Sequence, residues 1–306
     1  MKERLGKNVA ASVRQRLLNL SKDRNEPFDL VLVRYGLERF LYRIGISPFA
    51  KNFMLKGALL FLVWGQDDHR PTRDADLLAA GSNDLRQMEE TFKKICTIPV
   101  DDGIVFDAGT VRAQEIAEEK AYTGIRINFV GRLDGAKIPM QFDIGFGDAV
   151  TPGPESIEYP ALLDFPPPTL RAYPIYTVVA EKFHAMVLLG MQNSRMKDFY
   201  DVLAMSRAFE FDGAVLSEAI SATFVRRKTP LPEGIPVALT GEFADSPAKK
   251  TQWQAFLRRS RPADKLALGE AIAEIRRFVM PVVEALNQKE KLTAKWKAGG
   301  SWNDKK

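Results

Sequence analysis

The sequence predicts an α+β fold, and three observations carry the prediction. Apolar residues recur at helical spacing through the first 46 residues and again after residue 175. Between these regions, short runs such as Tyr122-Thr123-Gly124-Ile125-Arg126-Ile127-Asn128-Phe129 alternate at strand spacing. Residues 151–174, with Pro166-Pro167-Pro168 at the centre, cannot be regular throughout and read as the join between two halves.

Taken in order, Val9, Val13, Leu17 and Leu18 mark a first helix within residues 7–46. Phe28, Leu30, Leu32 and Val33, then Leu37, Phe40, Leu41 and Ile44, continue the helical pattern. Residues 53–62 read as a helix with Gly57 near its start, 66–72 as a polar loop, and 72–78 as a strand. A helix over 85–95 and strands at 104–106, 122–129 and 138–145 follow, the last two joined by a hairpin turn at Asp134-Gly135. The returning strand carries Asp143 near its end. A helix over 177–189 stops at Gly190, and further helices are expected over 195–209, 213–227 and 249–288, with a loop at 230–236. The polar stretch from Lys289, with Gly299-Gly300, is expected to be loose. The domain division expected is 1–165 for N-terminal helices and core, 166–290 for a helical domain, and 291–306 for a loose basic tail.

Composition narrows the class. A chain of 306 residues, 45% hydrophobic and 27% charged, can bury a substantial core and is ordinary for a globular protein. No apolar run follows Met1-Lys2-Glu3-Arg4, and the longest apolar stretch, 53–64, contains Lys56 and is too short to span a bilayer. No membrane association is expected, and a cytoplasmic location is the default. Cys96, the single cysteine, has no ligand partner at metal-binding spacing and reads as a small buried hydrophobe. The net charge is +5, but residues 249–306 hold 14 basic and 6 acidic residues, a surplus of +8. Such asymmetry points to an anionic partner, nucleic acid first, or to a solvated basic surface.

Three clusters carry chemistry. In Arg73-Asp74-Ala75-Asp76-Leu77, two carboxylates one residue apart in an extended segment face the same side. Their repulsion is relieved by a divalent cation, and Mg²⁺ is commonly held by one or two carboxylates together with substrate phosphates. Upstream, Gly57-Ala58 offers a small-residue turn before a helix, where backbone N–H groups approach phosphates. The second cluster is Asp143, between Phe142 and Ile144, expected as a third metal ligand or as the group that activates an acceptor hydroxyl. The third joins Glu181-Lys182 to Arg195-Met196-Lys197-Asp198-Phe199-Tyr200-Asp201. Lys182 lies in an apolar helix and can reach triphosphate oxygens, or bridge to Asp198 or Asp201, which share a helix face. His69 and His184 are poor catalytic candidates.

In this order, the clusters resemble the AbiEii/AbiGii toxin family of nucleotidyltransferases, the toxin half of type IV toxin–antitoxin systems, to which the MenT toxins belong. The matching pieces are Phe53-Met54-Leu55-Lys56-Gly57-Ala58-Leu59-Leu60, Pro71-Thr72-Arg73-Asp74-Ala75-Asp76-Leu77-Leu78, Pro139-Met140-Gln141-Phe142-Asp143-Ile144-Gly145, Ala180-Glu181-Lys182 and Ser194 to Asp201. Thr223-Phe224-Val225-Arg226-Arg227 and Trp253-Gln254-Ala255-Phe256-Leu257 extend the likeness over nearly the whole chain. The resemblance implies a polymerase-β-like nucleotidyltransferase core with N-terminal helices and a helical C-terminal half. It implies catalytic roles for Asp74, Asp76, Lys182 and Asp198, with Asp201 next, and metal binding by Asp74, Asp76 and Asp143. The nucleotide-binding set is expected to be Lys56, Gly57, Ala58, Thr72, Arg73 and Lys182. One departure is Gly57-Ala58 where the family usually has Gly-Gly or Gly-Ser, which removes a hydroxyl that could meet a phosphate.

The expected reaction is Mg²⁺-dependent transfer of NMP from an NTP, bound between Gly57, the acidic pair and Lys182, to an RNA hydroxyl. By family likeness the acceptor is a tRNA 3′ end, and a cognate antitoxin is a further partner. Two alternatives stay open at this point. One is nucleotidylation of a protein hydroxyl, and the other is a relict module that binds nucleotide or RNA without chemistry.

Overall fold

A computed structural model describes residues 2–66, 70–119, 122–260 and 266–303. His69 and both acids of the expected 66–72 loop, Asp67 and Asp68, lie outside the described residues. The α+β class holds: a large mixed sheet is accompanied by many helices. The chain divides into two compact units. The first comprises Met1–Gly147 and Glu155–Ala172, the second Asp148–Pro154 and Tyr173–Lys306. Among the described residues no helix is long and apolar enough to cross a membrane.

The first unit opens with helices α1 (Lys2–Asp23) and α2 (Phe28–Ile46). Then come β1 (Phe53–Lys56), a 3₁₀ turn at Gly57–Leu59, the one-turn helix α3 (Leu60–Val63), β2 (Ala75–Ala79) and α4 (Leu85–Cys96). It finishes with β3 (Val105–Glu119), β4 (Tyr122–Leu133), β5 (Ala136–Phe146), β6 (Glu155–Glu158) and β7 (Thr169–Ala172). The sheet order is β3-β4-β5-β2-β1-β7-β6. The β5/β2 and β1/β7 pairs are parallel and the others antiparallel. Two expectations need correction here. Residues 53–56 form a strand, not the start of a helix; a short apolar run fits either period, and the slot between β2 and β7 decides it. The proline-rich join is also not a plain linker, since β6 and β7 within it extend the sheet.

One face of the sheet is closed by α2 and α4 through aromatic packing. The Phe40 ring of α2 lies 5.4 Å from Phe92, 5.1 Å from Phe106, 4.6 Å from Phe129 and 4.9 Å from Phe142. Such rings bury large apolar areas and add edge and offset contacts of about 0.5–1.5 kcal/mol per pair. Helix α4 starts on Asp84, whose carboxylate accepts from Gln87 N at 2.7 Å, a standard N-cap. Cys96 at its end is a free, buried thiol pushed up to about 12 by burial, which makes it inert.

Charge is buried beneath this aromatic layer. Arg43 grips Asp102 with two nitrogens, at 2.7 and 3.0 Å, and Arg39 Nε donates to the same carboxylate at 3.1 Å. Tyr35 donates its hydroxyl to the Asp102 carbonyl at 2.6 Å. Glu38 accepts from Leu162 N at 2.7 Å and from Arg39 at 3.1 Å, and Arg39 also donates to the Pro166 carbonyl. Glu38, Arg39 and Asp102 have no exposed surface. A single helix thereby pins both the segment leading into β3 and the proline-rich segment.

In the second unit, α5 (Ile175–Leu189) ends at Gly190 and is followed by α6 (Met196–Ala208), β8 (Phe211–Asp212) and α7 (Gly213–Arg226). Then come α8 (Gly241–Asp245), α9 (Pro247–Ser260), α10 (Leu268–Asn287), β9 (Lys295–Trp296) and β10 (Trp302–Asn303). Through residue 303 the expected loose tail is instead docked on the unit by its two tryptophans, while most of its other residues stay exposed. Trp302 stacks on Phe278 at 5.9 Å, Trp296 lies 5.0 Å from the same ring, and β9 pairs with β8. The two indole N–H groups donate to the Ser206 and Phe278 carbonyls at 2.6 and 2.9 Å. Tryptophan combines a large apolar body with a donor that must be satisfied, which outweighs the polar composition around it. Gly213 makes room for this crossing, because a Cβ there would lie 2.6 Å from the Leu292 carbonyl oxygen.

Burial pushes Glu38 up to about 7, against the Leu162 N–H and Arg39, which favour the carboxylate. Its folded value lies above the unfolded one, so its contribution to stability is full below about pH 4.5 and is lost as pH rises towards about 7. Glu38→Gln should flatten the pH dependence of the urea midpoint between pH 5 and 8. The native chain should lose about 3 kcal/mol over that range through this group, and the difference between the two proteins should be smallest at the acid end.

Candidate active site

Sheet register collects the chemistry of the first unit. Lys56 pairs with Asp76 across β1/β2, Asp76 with Asp143 across β2/β5, and Asp143 with Arg126 across β5/β4. Directly paired residues on neighbouring strands face the same side, so the order across four strands is plus, minus, minus, plus. Two carboxylates placed opposite each other repel, and the flanking cations offset that cost. Asp74 lies in a bend one residue before β2, so the expected strand over 72–78 begins later than its first acid.

Each acid is held differently. Asp74 accepts a short hydrogen bond from the Thr72 hydroxyl on its Oδ1. Asp76 is set against the turn: a Cβ on Gly57 would fall 2.0 Å from its Oδ2. Gly57 also has φ +74°, so glycine is required there twice over, by conformation and by space. Asp143 is taken by Arg126, whose Nε and Nη2 donate to its two oxygens at 2.8 and 2.7 Å, a bidentate grip. The Arg126 guanidinium is raised first by that hydrogen bonding, then by the charge of Asp143 and in smaller measure by those of Asp74 and Asp76.

The remaining expected residues of this unit lie close by in sequence but differ in setting. Lys56 is 8% exposed, at the end of β1. Ala58 is buried in the 3₁₀ turn. The helix after Gly57 is only Leu60–Val63, so the expected contribution of a helix dipole to phosphate binding is small. Arg73 extends to Asp29 on α2 at 2.5 Å, with both side chains more than half exposed. The pair holds Asp29 below the usual carboxylate range but adds little stability.

Among the described residues no group of three or more His, Cys, Asp or Glu side chains is placed to hold a metal ion. Of the expected set Asp74, Asp76 and Asp143, the last turns both carboxylate oxygens to Arg126. The Asp74–Asp76 pair by itself fits a hard cation that takes one or two carboxylates and completes its shell with phosphate and water. Arg126 was not among the residues expected. The signal was nevertheless present: with a two-residue turn at Asp134-Gly135, Arg126 and Asp143 stand at equal distances from it. The turn has φ of 42° and 81°, as a hairpin of this kind requires.

The second unit gathers the third cluster. Lys182 Nζ lies 2.8 Å from Asp198 Oδ1 and 2.7 Å from Asp201 Oδ2. Arg195 Nε approaches Asp198 Oδ2 at 2.6 Å. Neither aspartate has exposed surface. Burial alone would raise Asp198, but Lys182 and Arg195 outweigh it and hold its carboxyl below the ordinary range. His184 accepts or donates at Thr229 Oγ1 at 2.9 Å, and burial beside Arg227 pushes it down to about 4. It is neutral at physiological pH and sits in a packed, structural setting.

The family described as nucleotidyl transferase AbiEii toxin, Type IV TA system, matches residues 39–278. The chain belongs to this family, and its class is that of a nucleotidyltransferase enzyme. Membership of a toxin–antitoxin family implies an antitoxin partner and a nucleotide substrate, and such transferases generally use a divalent metal. A solved structure from H. pylori described as a "putative nucleotidyltransferase" has 16% identity and a TM-score of 0.42, covering 82% of this chain and 94% of that one. JHP933 from Helicobacter pylori has 15% identity and a TM-score of 0.43, with 82% and 90% covered. Comparison with curated proteins gives no match.

Gly57→Ala should drive a methyl into the Asp76 carboxylate and force a positive φ on a residue with a Cβ. The expected cost is about 1–3 kcal/mol, seen as a lower urea midpoint at unchanged m. Lys182→Met should leave Asp198 and Asp201 buried with one cation fewer, at a cost of about 3–5 kcal/mol. Adding Asp201→Asn to that variant should recover part of the loss, as a double-mutant cycle would measure.

Proposed function

We propose that the chain is a cytoplasmic, Mg²⁺-dependent enzyme that transfers a nucleoside monophosphate from an NTP to an RNA, with a tRNA 3′ end as acceptor. The observation that carries this reading is the row Lys56, Asp76, Asp143, Arg126, with Asp74 and the Gly57 turn beside it. Asp74 and Asp76 would hold the cation. When bound, the cation supplies positive charge to the reacting phosphoryl oxygens, the main need of such a transfer.

The chain's own residues do the rest in this reading. Thr72 fixes the Asp74 carboxylate through its hydroxyl. Gly57 leaves the turn bare, so that phosphates can approach backbone N–H groups. The missing hydroxyl at Ala58 costs one contact and leaves the backbone contacts in place. Asp143 is the third acid of the row, which meets the cation or orients the acceptor hydroxyl and takes its proton, and Lys182 meets triphosphate oxygens. Asp198 and Asp201 act as positioning acids for Lys182, which fits their buried pairing within one unit. The basic surplus of residues 249–306 supports a polyanionic acceptor, whose binding would weaken steeply with salt.

Incubation of the protein with Mg²⁺, each labelled NTP in turn and total tRNA tests the reading. Label is expected in tRNA from one nucleotide. Asp74→Ala should reduce the transfer by about a hundredfold or more. Label in protein, with none in RNA, would replace the acceptor. Nucleotide binding without transfer to either would overturn the enzyme reading.

A further inference from the structure

We propose that Arg126 is the resident counter-ion of Asp143 and competes there with the divalent cation, so that loading the site requires Arg126 to let go. The inference rests on the reading of Asp74 and Asp76 as the cation's holders and adds a residue that reading does not contain. Three geometric facts carry it. The register forces Asp76 and Asp143 opposite each other, which leaves a concentration of negative charge in the middle of the row. Arg126 closes on both oxygens of Asp143 in the geometry of a strong, charge-assisted pair. The Arg126 side chain is one-third exposed, so the guanidinium can swing out without unpacking the core, whereas Asp143 is only 13% exposed and stays.

Charge balance gives the direction. Lys56, Arg126, Asp74, Asp76 and Asp143 together carry one net negative charge. A divalent cation added to that set overshoots to one positive charge, and release of Arg126 restores neutrality. Arginine suits such a role because its fork matches a carboxylate and never loses its proton. A clamp whose task was only to fix β4 against β5 would be redundant, since eight other register pairs already join those strands.

The test is Mn²⁺ binding to the nucleotide-free protein, followed by electron paramagnetic resonance. Arg126→Gln should bind Mn²⁺ about tenfold more tightly than the native chain. The gain should vanish in Arg126→Gln/Asp143→Asn, because it acts through Asp143. Arg126→Lys keeps the charge but cannot grip two oxygens, and should fall between the two. It also carries the test if the glutamine variant fails to fold, in which case binding tighter than native supports the proposal. Unchanged or weaker Mn²⁺ binding on loss of Arg126, or a gain that survives Asp143→Asn, overturns it. Asp74→Asn and Asp76→Asn separate the two failures. If they leave native Mn²⁺ binding untouched, the reading of the acids falls. If they abolish it while Arg126→Gln changes nothing, only the role of Arg126 falls.

Discussion

The first unit is organised around two carboxylates that the sheet holds face to face. Asp76 and Asp143 are register partners on parallel strands, and neither can move away without breaking the β2/β5 ladder. Their mutual repulsion then dictates what surrounds them. A lysine and an arginine occupy the flanking positions of the same row, and a residue with no side chain occupies the turn that Asp76 leans against. An arrangement of charges that costs free energy in this way is more often met at functional sites than elsewhere. The aromatic layer on the opposite side of the sheet keeps the strands rigid enough for that strain to persist.

A second tension lies deeper in the same unit. Asp102 and Glu38 have no exposed surface; Asp102 takes both Arg39 and Arg43, and Glu38 takes Arg39 alone. Buried ion pairs rarely add net stability, because desolvation consumes much of the Coulomb gain. Their usefulness here is directional. From one helix the cluster reaches Asp102 and Ile104 just before β3 and Leu162 and Pro166 in the proline-rich segment, which fixes how α2 seats on the sheet. Arg39 Nη2 makes no hydrogen bond, and its guanidinium lies 4.4 Å from the Tyr42 ring instead.

What the sequence disclosed follows from how local each signal is. The hairpin at Asp134-Gly135 was legible because two residues with positive φ announce themselves by type. The helices α2, α5, α6 and α7 were legible from apolar period alone. Strand β1 was not, since Phe53-Met54-Leu55-Lys56 is too short and too apolar to choose between periods, and its partners lie far along the chain. The acids of the candidate site form a pattern visible in the sequence, whereas their partners do not. Whether Asp143 faces an ion or an arginine depends on register, and the pairing of Lys182 with both Asp198 and Asp201 depends on how two helices meet. The Asp102 cluster had no sequence signature at all, because its members are some sixty residues apart with no motif between them. The tail misled by composition: two tryptophans outweighed their polar neighbours once Phe278 was there to receive them.

The path of the backbone between the units has one more consequence. The chain leaves the first unit after Gly147, contributes Asp148–Pro154 to the second, returns for two strands, and departs again after Ala172. The short visit is not incidental. Asp148 receives Arg227 at 3.1 Å, and Thr151 exchanges two hydrogen bonds with Thr177. Neither unit is thus a contiguous piece of sequence. A cut at residue 172 would take from the helical half a seven-residue strip that its own side chains grip, and would leave that strip dangling from the other half. The two parts cannot be exchanged between relatives as cassettes; recombination that respects this fold has to carry both together.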